Sequence, residues 1–333
     1  MKVKKLCSAL LSLLFIALFL TGCKPELPES NGTNPCKDNG EESKRTYAVV
    51  FPIVHPFFEP VGRDAEEFGK EYGWDVIIRS PREADARLQI EIMEELIEMR
   101  VDGIAIGPTD PEELVDVINK ALDAGIKVIC FETDAPESGR MGYVGTNNYN
   151  AGRHMGYIIG KALGEEGKIL ILTGLSTQMS LNERIRGIKS FLSVKYPDIQ
   201  VLDIQSSEGD AQNAVNIAKS MVEEYPDFDA LIGIDATAGP AAIIVWKEKG
   251  LKNTDKMIIT FDDMPDNLRG MRDGYIESIV SQRQDKWGQG VLLLLNSLVE
   301  GRPIPDYTDT GSIEITLFNI DRYQNEPSWA EPR

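Results

Sequence analysis

The sequence predicts an α/β protein of two similar lobes, each built on a doubly wound parallel sheet. Three observations carry this reading. Short β-branched runs alternate with amphipathic helical patterns from about residue 47 onward. The strand runs are almost continuously apolar, as in strands covered on both faces. The alternation runs through once, restarts at a helix near residue 151 and runs through again.

In the first round the strands are expected at Tyr47–Phe51, Asp75–Ile78, Gly103–Ile106, Lys127–Phe131 and Met141–Val144. Helices are expected at Pro60–Tyr72, Asp85–Met99 and Pro111–Ala124. In the second of these, Leu88, Ile92 and Leu96 recur at i, i+4 and i+8, along one helix face. The second round opens with a helix at Ala151–Leu163. Strands follow at Lys168–Leu172, Val201–Gln205, Ala230–Ile234, Met257–Phe261 and Ile276–Val280. Helices at Leu181–Tyr196, Asp210–Tyr225 and Ala238–Lys249 lie between them. Asp110 before Pro111 reads as a helix cap, His154 as a structural helix residue, and Arg186 as solvated.

The N-terminus has a different composition. Lys2, Lys4 and Lys5 precede a 15-residue apolar stretch over residues 6–20, followed by Leu20-Thr21-Gly22-Cys23. That order is the order of a secretory signal peptide. The stretch is shorter than the ~20 residues of a spanning helix. The tetrapeptide resembles the bacterial lipobox, which makes Cys23 the expected lipidation site and first mature residue. Residues 24–46 are polar and rich in Pro, Gly, Asn and charge, with no apolar face to bury. They read as a disordered tether with a reach on the order of 25 Å.

Charge and cysteine use exclude several classes. The chain carries a formal −18, and residues 1–22 hold three Lys and no acid. Such an acidic chain is a poor match for nucleic-acid phosphates. Beyond the signal, the densest apolar run is Val291–Leu295, far short of a membrane span. The four Cys are Cys7 in the signal, Cys23, Cys36 in the tether and Cys130 at a strand end. They form neither a disulfide framework nor a zinc spacing. Cys130 reads as a small core residue. No metal or cofactor is expected.

Ligands in open α/β sheets bind beyond the strand C-termini. The segments there are Ile53-Val54-His55-Pro56-Phe57-Phe58, Glu132-Thr133-Asp134, Thr173-Gly174-Leu175-Ser176, Asp235-Ala236-Thr237, Asp262-Asp263 and Ser281-Gln282. They gather carboxylates, amides, a His and paired aromatic rings. Hydroxyls suit the first two, and the C–H face of a sugar suits the rings.

Taken in order, several of these segments resemble the type I periplasmic sugar-binding proteins of ABC transporters, the ribose-binding group in particular. The resemblance spans about Tyr47 to Phe318. It also rests on Gly107-Pro108-Thr109-Asp110, Tyr143-Val144-Gly145-Thr146-Asn147-Asn148 and Asn182-Glu183-Arg184-Ile185-Arg186-Gly187. The resemblance implies lobes joined by a three-strand hinge, with crossovers near Thr146–Asn148, Gln282 and Asp309–Gly311. One lobe is then 47–147 plus 283–310, the other 148–282 plus 311–325, with a tail at 326–333. It further implies that Phe57 and Phe58 sandwich a sugar ring and that His55 is a polar contact. Glu132 stands where the group usually has Asp, with Asp134 close by. Asn182 stands where ribose proteins have Arg, and Arg184 where a galactose-type relative has one. Asp235 replaces a frequent Asn, Asp262 matches a frequent Asp, and Gln282 matches a hinge Gln. These swaps mean the ligand need not be ribose. Gly209 stands at an often aromatic position, so one stacking face is missing or is supplied by Trp287 or another ring.

Other readings of these residues stay open. Phe57 and Phe58 can be plain core, Asp235 and Asp262 can cap the helices after them, and Asp263 reads as surface. For the whole chain, the resemblance implies an extracytoplasmic, lipid-anchored, monomeric protein. It would hand a small sugar or polyol to an ABC transporter permease. An alternative output presents a sugar or an autoinducer-2-like signal to a chemoreceptor or sensor kinase. A glycoside-processing enzyme is a third reading, since carboxylate pairs can hydrolyse glycosides. The sequence holds only two His, no Gly after Gly174-Leu175-Ser176 to complete a nucleophile elbow, and no phosphate loop. A sugar-responsive repressor would need a helix-turn-helix where the export signal stands.

The anchoring expectation has a direct test. Cys23→Ala in a bacterial host should abolish labelling by a radioactive fatty acid and leave the chain uncleaved. Undiminished labelling of the variant would refute it.

Overall fold

The computed structural model describes residues 44–325. The expected signal segment, Cys23, most of the tether and the tail lie outside the described residues. In chain order the first half runs β1 (Thr46–Val50), α1 (Glu59–Tyr72), β2 (Asp75–Arg79), α2 (Ala86–Met99), β3 (Gly103–Ile106), α3 (Val115–Asp123), β4 (Lys127–Phe131) and β5 (Tyr143–Gly145). Next come α4 (Asn148–Leu163), β6 (Glu166–Thr173), α5 (Met179–Lys195), β7 (Asp198–Ser206), α6 (Ala211–Glu224), β8 (Ala230–Gly233), α7 (Ala238–Lys249), β9 (Met257–Phe261), α8 (Pro265–Arg272) and β10 (Ser278–Ser281). The chain closes with α9 (Trp287–Val299), β11 (Tyr307–Asp309), β12 (Ile313–Ile315) and α10 (Ile320–Asn325).

Two six-stranded sheets result, one per lobe. The first has the order β11-β5-β4-β3-β1-β2 and the second β12-β10-β9-β8-β6-β7. The chain passes between them three times: from β5 into α4, from β10 into α9, and from β11 to β12. The first sheet is parallel throughout. In the second, β12 pairs antiparallel with β10, an edge exception to the expected parallel sheet. Each sheet is buried on both faces. α9 lays Trp287, Val291, Leu292 and Leu295 with Tyr47, Val49, Phe51 and Phe131 of the first lobe, and Met93, Leu96 and Ile118 belong to the cluster on the opposite face. In the second lobe Trp246 and Phe228 centre one layer, and Ile159, Ile188 and Phe261 belong to the other.

Several local expectations shift. Thr46 already pairs in β1, and Arg45 bonds Glu300 at 2.9 Å, so the body starts ahead of Tyr47. α3 begins at Val115 because residues 111–114 form turns, with the Asp110 carboxylate accepting from the N–H of Glu112 and Glu113. On α2 the buried side chains are Ala86, Gln89, Met93 and Leu96, with Leu88 and Ile92 only partly covered. Gln89 displaces the apolar expectation because its amide has work at that depth. It donates to the carbonyls of Phe51 and Gly107 and accepts from Thr109 N–H and Oγ1. The loops after β1 and β3 are bolted together by one side chain. Cys130 is buried in the core, as expected.

α4 and α5 cross where both helices carry glycine. A Cβ on Gly152 would lie 2.1 Å from the Arg184 carbonyl oxygen, and one on Gly187 would lie 2.2 Å from that of Tyr149. Gly152→Ala is therefore expected to destabilise the fold by about 1–3 kcal/mol, the usual range for overpacking. Gly290 on α9 has open space around it, and Gly290→Ala should be neutral or slightly stabilising. Denaturant titration of both variants checks the pair; equal effects would refute the crossing argument.

Candidate functional site

The C-terminal ends of the central strands of both sheets face one cleft. The cavity there measures about 70 Å³, several times the ~10–15 Å³ that a single water needs on the same measure. The first lobe lines it with Ile53, His55, Phe57, Phe58 and Glu132. The second contributes Leu175, Gln178, Leu181, Arg184, Asp235 and Asp262, and Gln282 enters from the β10–α9 crossing.

Arg184 is fully buried, on the α5 face that also buries Leu181 and Ile188. The spacing of these three, i, i+3 and i+7, is that of one helix face. Its Nε donates to Asn148 Oδ1 at 2.9 Å and its Nη1 to the Ile234 carbonyl at 2.9 Å. The guanidinium lies 4.5 Å over the Phe261 ring. Its Nη2 is buried and has no partner.

Three carboxylates surround this cation. Glu132 accepts from Gln178 Nε2 at 2.8 Å and from Ser180 Oγ at 3.1 Å. Asp235 Oδ2 accepts from Thr237 Oγ1 at 2.7 Å and from its N–H at 3.2 Å, while Oδ1 is buried and unpartnered. Asp262 Oδ1 accepts from Gln282 Nε2 at 2.7 Å, leaving Gln282 Oε1 unpartnered. Burial pushes all three carboxyls above the usual carboxylate range, Asp262 to about 7, while the Arg184 charge pulls the other way. Glu132 (φ 65°) and Asp262 (φ 69°) both adopt left-handed backbone, which costs a non-glycine residue energy and recurs at ligand clamps.

The aromatic corner differs from the expected sandwich. Phe57 and Phe58 are both buried and stand at 87° to each other, and Phe58 stacks on Phe51. Perpendicular rings present a corner to the cavity and cannot clasp a flat ligand between parallel faces. His55 Nδ1 accepts from Phe57 N–H at 3.2 Å. Burial lowers the basicity of the imidazole, so the neutral form with Nε2–H free to donate is favoured. Trp287 supplies no second stacking face. It packs edge-on behind Phe57 and donates Nε1–H to Thr310 Oγ1.

Eight of the ten expected ligand residues thus meet at the cleft: His55, Phe57, Phe58, Glu132, Arg184, Asp235, Asp262 and Gln282. Asp134 and Asn182 do not. Asp134 is held bidentate by Arg140, at 2.5 and 2.7 Å. Asn182 is exposed on α5 and donates to the Ser176 carbonyl; two residues along a helix point to different faces. Asp235 both ties the turn before α7 and lines the cavity, whereas Asp262 caps no helix. Asp263, expected at the surface, is half-buried and accepts from Gln284 Nε2 and the Tyr323 hydroxyl. Gln178 and Leu181 were outside the expected set. The i, i+3 spacing of 178, 181 and 184 was the signal for both.

Asp262 makes a stability test. Its carboxyl is pushed up to about 7 in the fold from 3.8. The native state therefore keeps a proton that the unfolded chain releases, and stability falls as pH rises from about 4 to about 7. Asp262→Asn removes that ionisation, and Asn tolerates positive φ. The variant should match wild type near pH 4 and gain on it through pH 7, by on the order of 4 kcal/mol, then level off. Urea denaturation from pH 4 to 8 reads this; a difference constant with pH would refute it.

Comparison with known proteins agrees with this geometry. Residues 47–303 match the family model described as periplasmic binding protein domain. An ABC transporter solute binding protein from Burkholderia graminis, solved in complex with D-arabinose, is 34% identical. The match covers 84% of this chain and 98% of that one, with a TM-score of 0.80. The D-ribose/D-allose-binding protein of Pseudomonas aeruginosa is 25% identical, over 90% of this chain and 95% of its own length. The ribose import binding protein RbsB of Bacillus subtilis is 24% identical, over 91% and 95%. With two parallel-sheet lobes, three crossings and a cleft at the strand C-termini, the chain belongs to the periplasmic binding protein family, in its type I form.

Proposed function

We propose that the protein binds one neutral sugar or polyol per chain, leaves it chemically unchanged and delivers it to an ABC transporter from a membrane surface to which Cys23 anchors it. One observation carries the ligand class: three buried cavity atoms lack partners, one donor (Arg184 Nη2) and two acceptors (Asp235 Oδ1, Gln282 Oε1). A buried unpaired polar atom costs on the order of 1–3 kcal/mol. Hydroxyls both donate and accept, so a polyhydroxylated molecule can serve all three. A phosphate ester would set negative charge beside Glu132, Asp235 and Asp262 and oppose their ionisation, with Arg184 as the one buried cation on the cavity. The Phe57–Phe58 corner suits the C–H face of a small ring. Relatives whose names state D-arabinose, D-ribose and D-allose support the same class.

The lobes, taken as 47–147 plus 283–310 and 148–282 plus 311–325, would open and close about the three crossings. A ligand touching both lobes binds the closed form better, and that differential shifts the population. Turning a mostly open protein into a mostly closed one takes about 5.5 kcal/mol of preference. Charge-assisted hydrogen bonds at ~1.5–3 kcal/mol each reach that with two or three contacts.

Calorimetry against a panel of neutral pentoses, hexoses and polyols is expected to show 1:1 binding, with mass spectrometry recovering the ligand intact. Asp235→Ala should raise Kd at least tenfold, about 1.4 kcal/mol. Heat from no member of the panel, or turnover of any member, would defeat the reading.

A further inference from the structure

Glu132 differs from the other charged groups on the cavity in where its partners come from. It ends β4 in the first lobe, yet both carboxylate oxygens are engaged by the start of α5 in the second, through Gln178 Nε2 and Ser180 Oγ. The contact extends along both segments. Ser180 N–H donates to Thr133 Oγ1 at 3.3 Å, and Thr177 Oγ1 donates to the Thr109 carbonyl at 3.0 Å. Four hydrogen bonds therefore join the lobes through residues 177–180, and none of them needs a ligand. A second meeting of the lobes is apolar. Ile53 of the first lobe and Leu175 of the second both come within 3.9 Å of the space beside the Gly209 backbone.

The unpartnered atoms have the opposite distribution. Arg184 Nη2 and Asp235 Oδ1 belong to the second lobe, and Gln282 Oε1 to the crossing after β10. The first lobe presents rings, Ile53, a His whose Nδ1 is occupied and whose Nε2–H is the one donor left, and a carboxylate that already accepts one bond on each oxygen. A carboxylate taken out of water needs donors. For Glu132 those donors are at hand only when the lobes meet.

We propose that Glu132 is a positioning residue that latches the first lobe onto Gln178 and Ser180, and that ligand identity is read from the other side, by Arg184, Asp235 and Gln282. The second half of this proposal rests on the sugar-binding reading; the first half does not. The latch biases the cleft toward closure before any ligand arrives, and it acts alike on every ligand. Selectivity is then a property of the three-atom set.

The test has a ligand-free arm and a ligand arm, both on the full chain in detergent. Fluorophores on exposed Met99 and Val194 (M99C and V194C, with Cys36→Ser) report lobe separation by energy transfer. Without sugar, Gln178→Ala/Ser180→Ala is expected to lower transfer relative to wild type, and the conservative Ser180→Thr to retain it. Equal transfer in wild type and the double variant, with only thermal stability changed, would overturn the latch. In the ligand arm, calorimetry uses D-arabinose and D-ribose as probes. Gln178→Ala should weaken both by the same factor, about tenfold, as expected for loss of one buried bond to a charged group. Asp235→Asn should change their affinity ratio at least threefold. A shifted ratio in Gln178→Ala, or an unshifted one in Asp235→Asn, would overturn the division of roles. If neither sugar gives heat with wild type, the sugar reading fails, and the ligand-free arm still decides the latch.

Discussion

A single buried cation sets the terms for the cleft. Arg184 is sealed from solvent, and none of the ion pairs among the described residues includes it. Neutral acceptors hold it instead: the Asn148 amide at the first crossing, the Ile234 carbonyl beyond β8 and the face of Phe261 at the end of β9. Three separate elements must be in register for the guanidinium to sit there. The glycine crossing of α4 and α5 fixes the depth of the helix that carries it, since the Arg184 backbone fills the place a Gly152 side chain would take. Glu132, Asp235 and Asp262 then share one cavity because this charge opposes the cost of burying them. Removing the cation would leave little beyond their hydrogen bonds to oppose the burial of three acids, and acids in that position take up protons more readily.

The two lobes solve the same local problem twice and use the result differently. Each central sheet ends a strand in Phe followed by an acid: Phe131-Glu132 after β4 and Phe261-Asp262 after β9. In each, the acid's N–H bonds the neighbouring strand, to Val144 and Val280 respectively, at 2.9 Å. In each, φ is positive, which turns the chain sharply and aims the carboxylate along the strand end. The longer Glu reaches across to the other lobe. The shorter Asp reaches only Gln282, at the crossing after β10. Both acids line the cavity, and of the two only the longer one bonds across to the other lobe.

Much of this was legible in the sequence because it depends on periodicity and on strand ends. Two rounds of alternating strand and helix specified two sheets, and parallel sheets oblige their C-terminal edges to carry the site. Reading the residues after each strand therefore found His55, Phe57, Glu132, Asp235 and Asp262. What failed depends on side-chain direction and partner choice. Asp134 and Asn182 sit within two residues of true lining groups, but Arg140 takes the first and the helix turns the second outward. The Phe57–Phe58 sandwich failed because consecutive residues on a short turn splay their rings. Gln89 broke the apolar pattern of α2 because three loop residues, Phe51, Gly107 and Thr109, needed an amide at that depth. Such long-range matches leave no periodic trace.

The distribution of satisfied and unsatisfied groups gives the cleft its physical logic. Closure buries three acids, a guanidinium and an imidazole together, and protein donors satisfy only part of that set. If the missing partners were spread over both lobes, a ligand would have to bridge them before either lobe gained anything. With Arg184 Nη2, Asp235 Oδ1 and Gln282 Oε1 all on one side, a ligand can make its polar contacts on the second lobe while the cleft is open. The first lobe then adds apolar cover from Phe57, Phe58 and Ile53 and the His55 Nε2–H donor, together with the Glu132 contacts, which need no particular ligand. Recognition and closure are thus carried by different bonds. Affinity can change through the residues that join the lobes without altering which ligand is chosen, and the choice can change through three atoms without rebuilding the hinge.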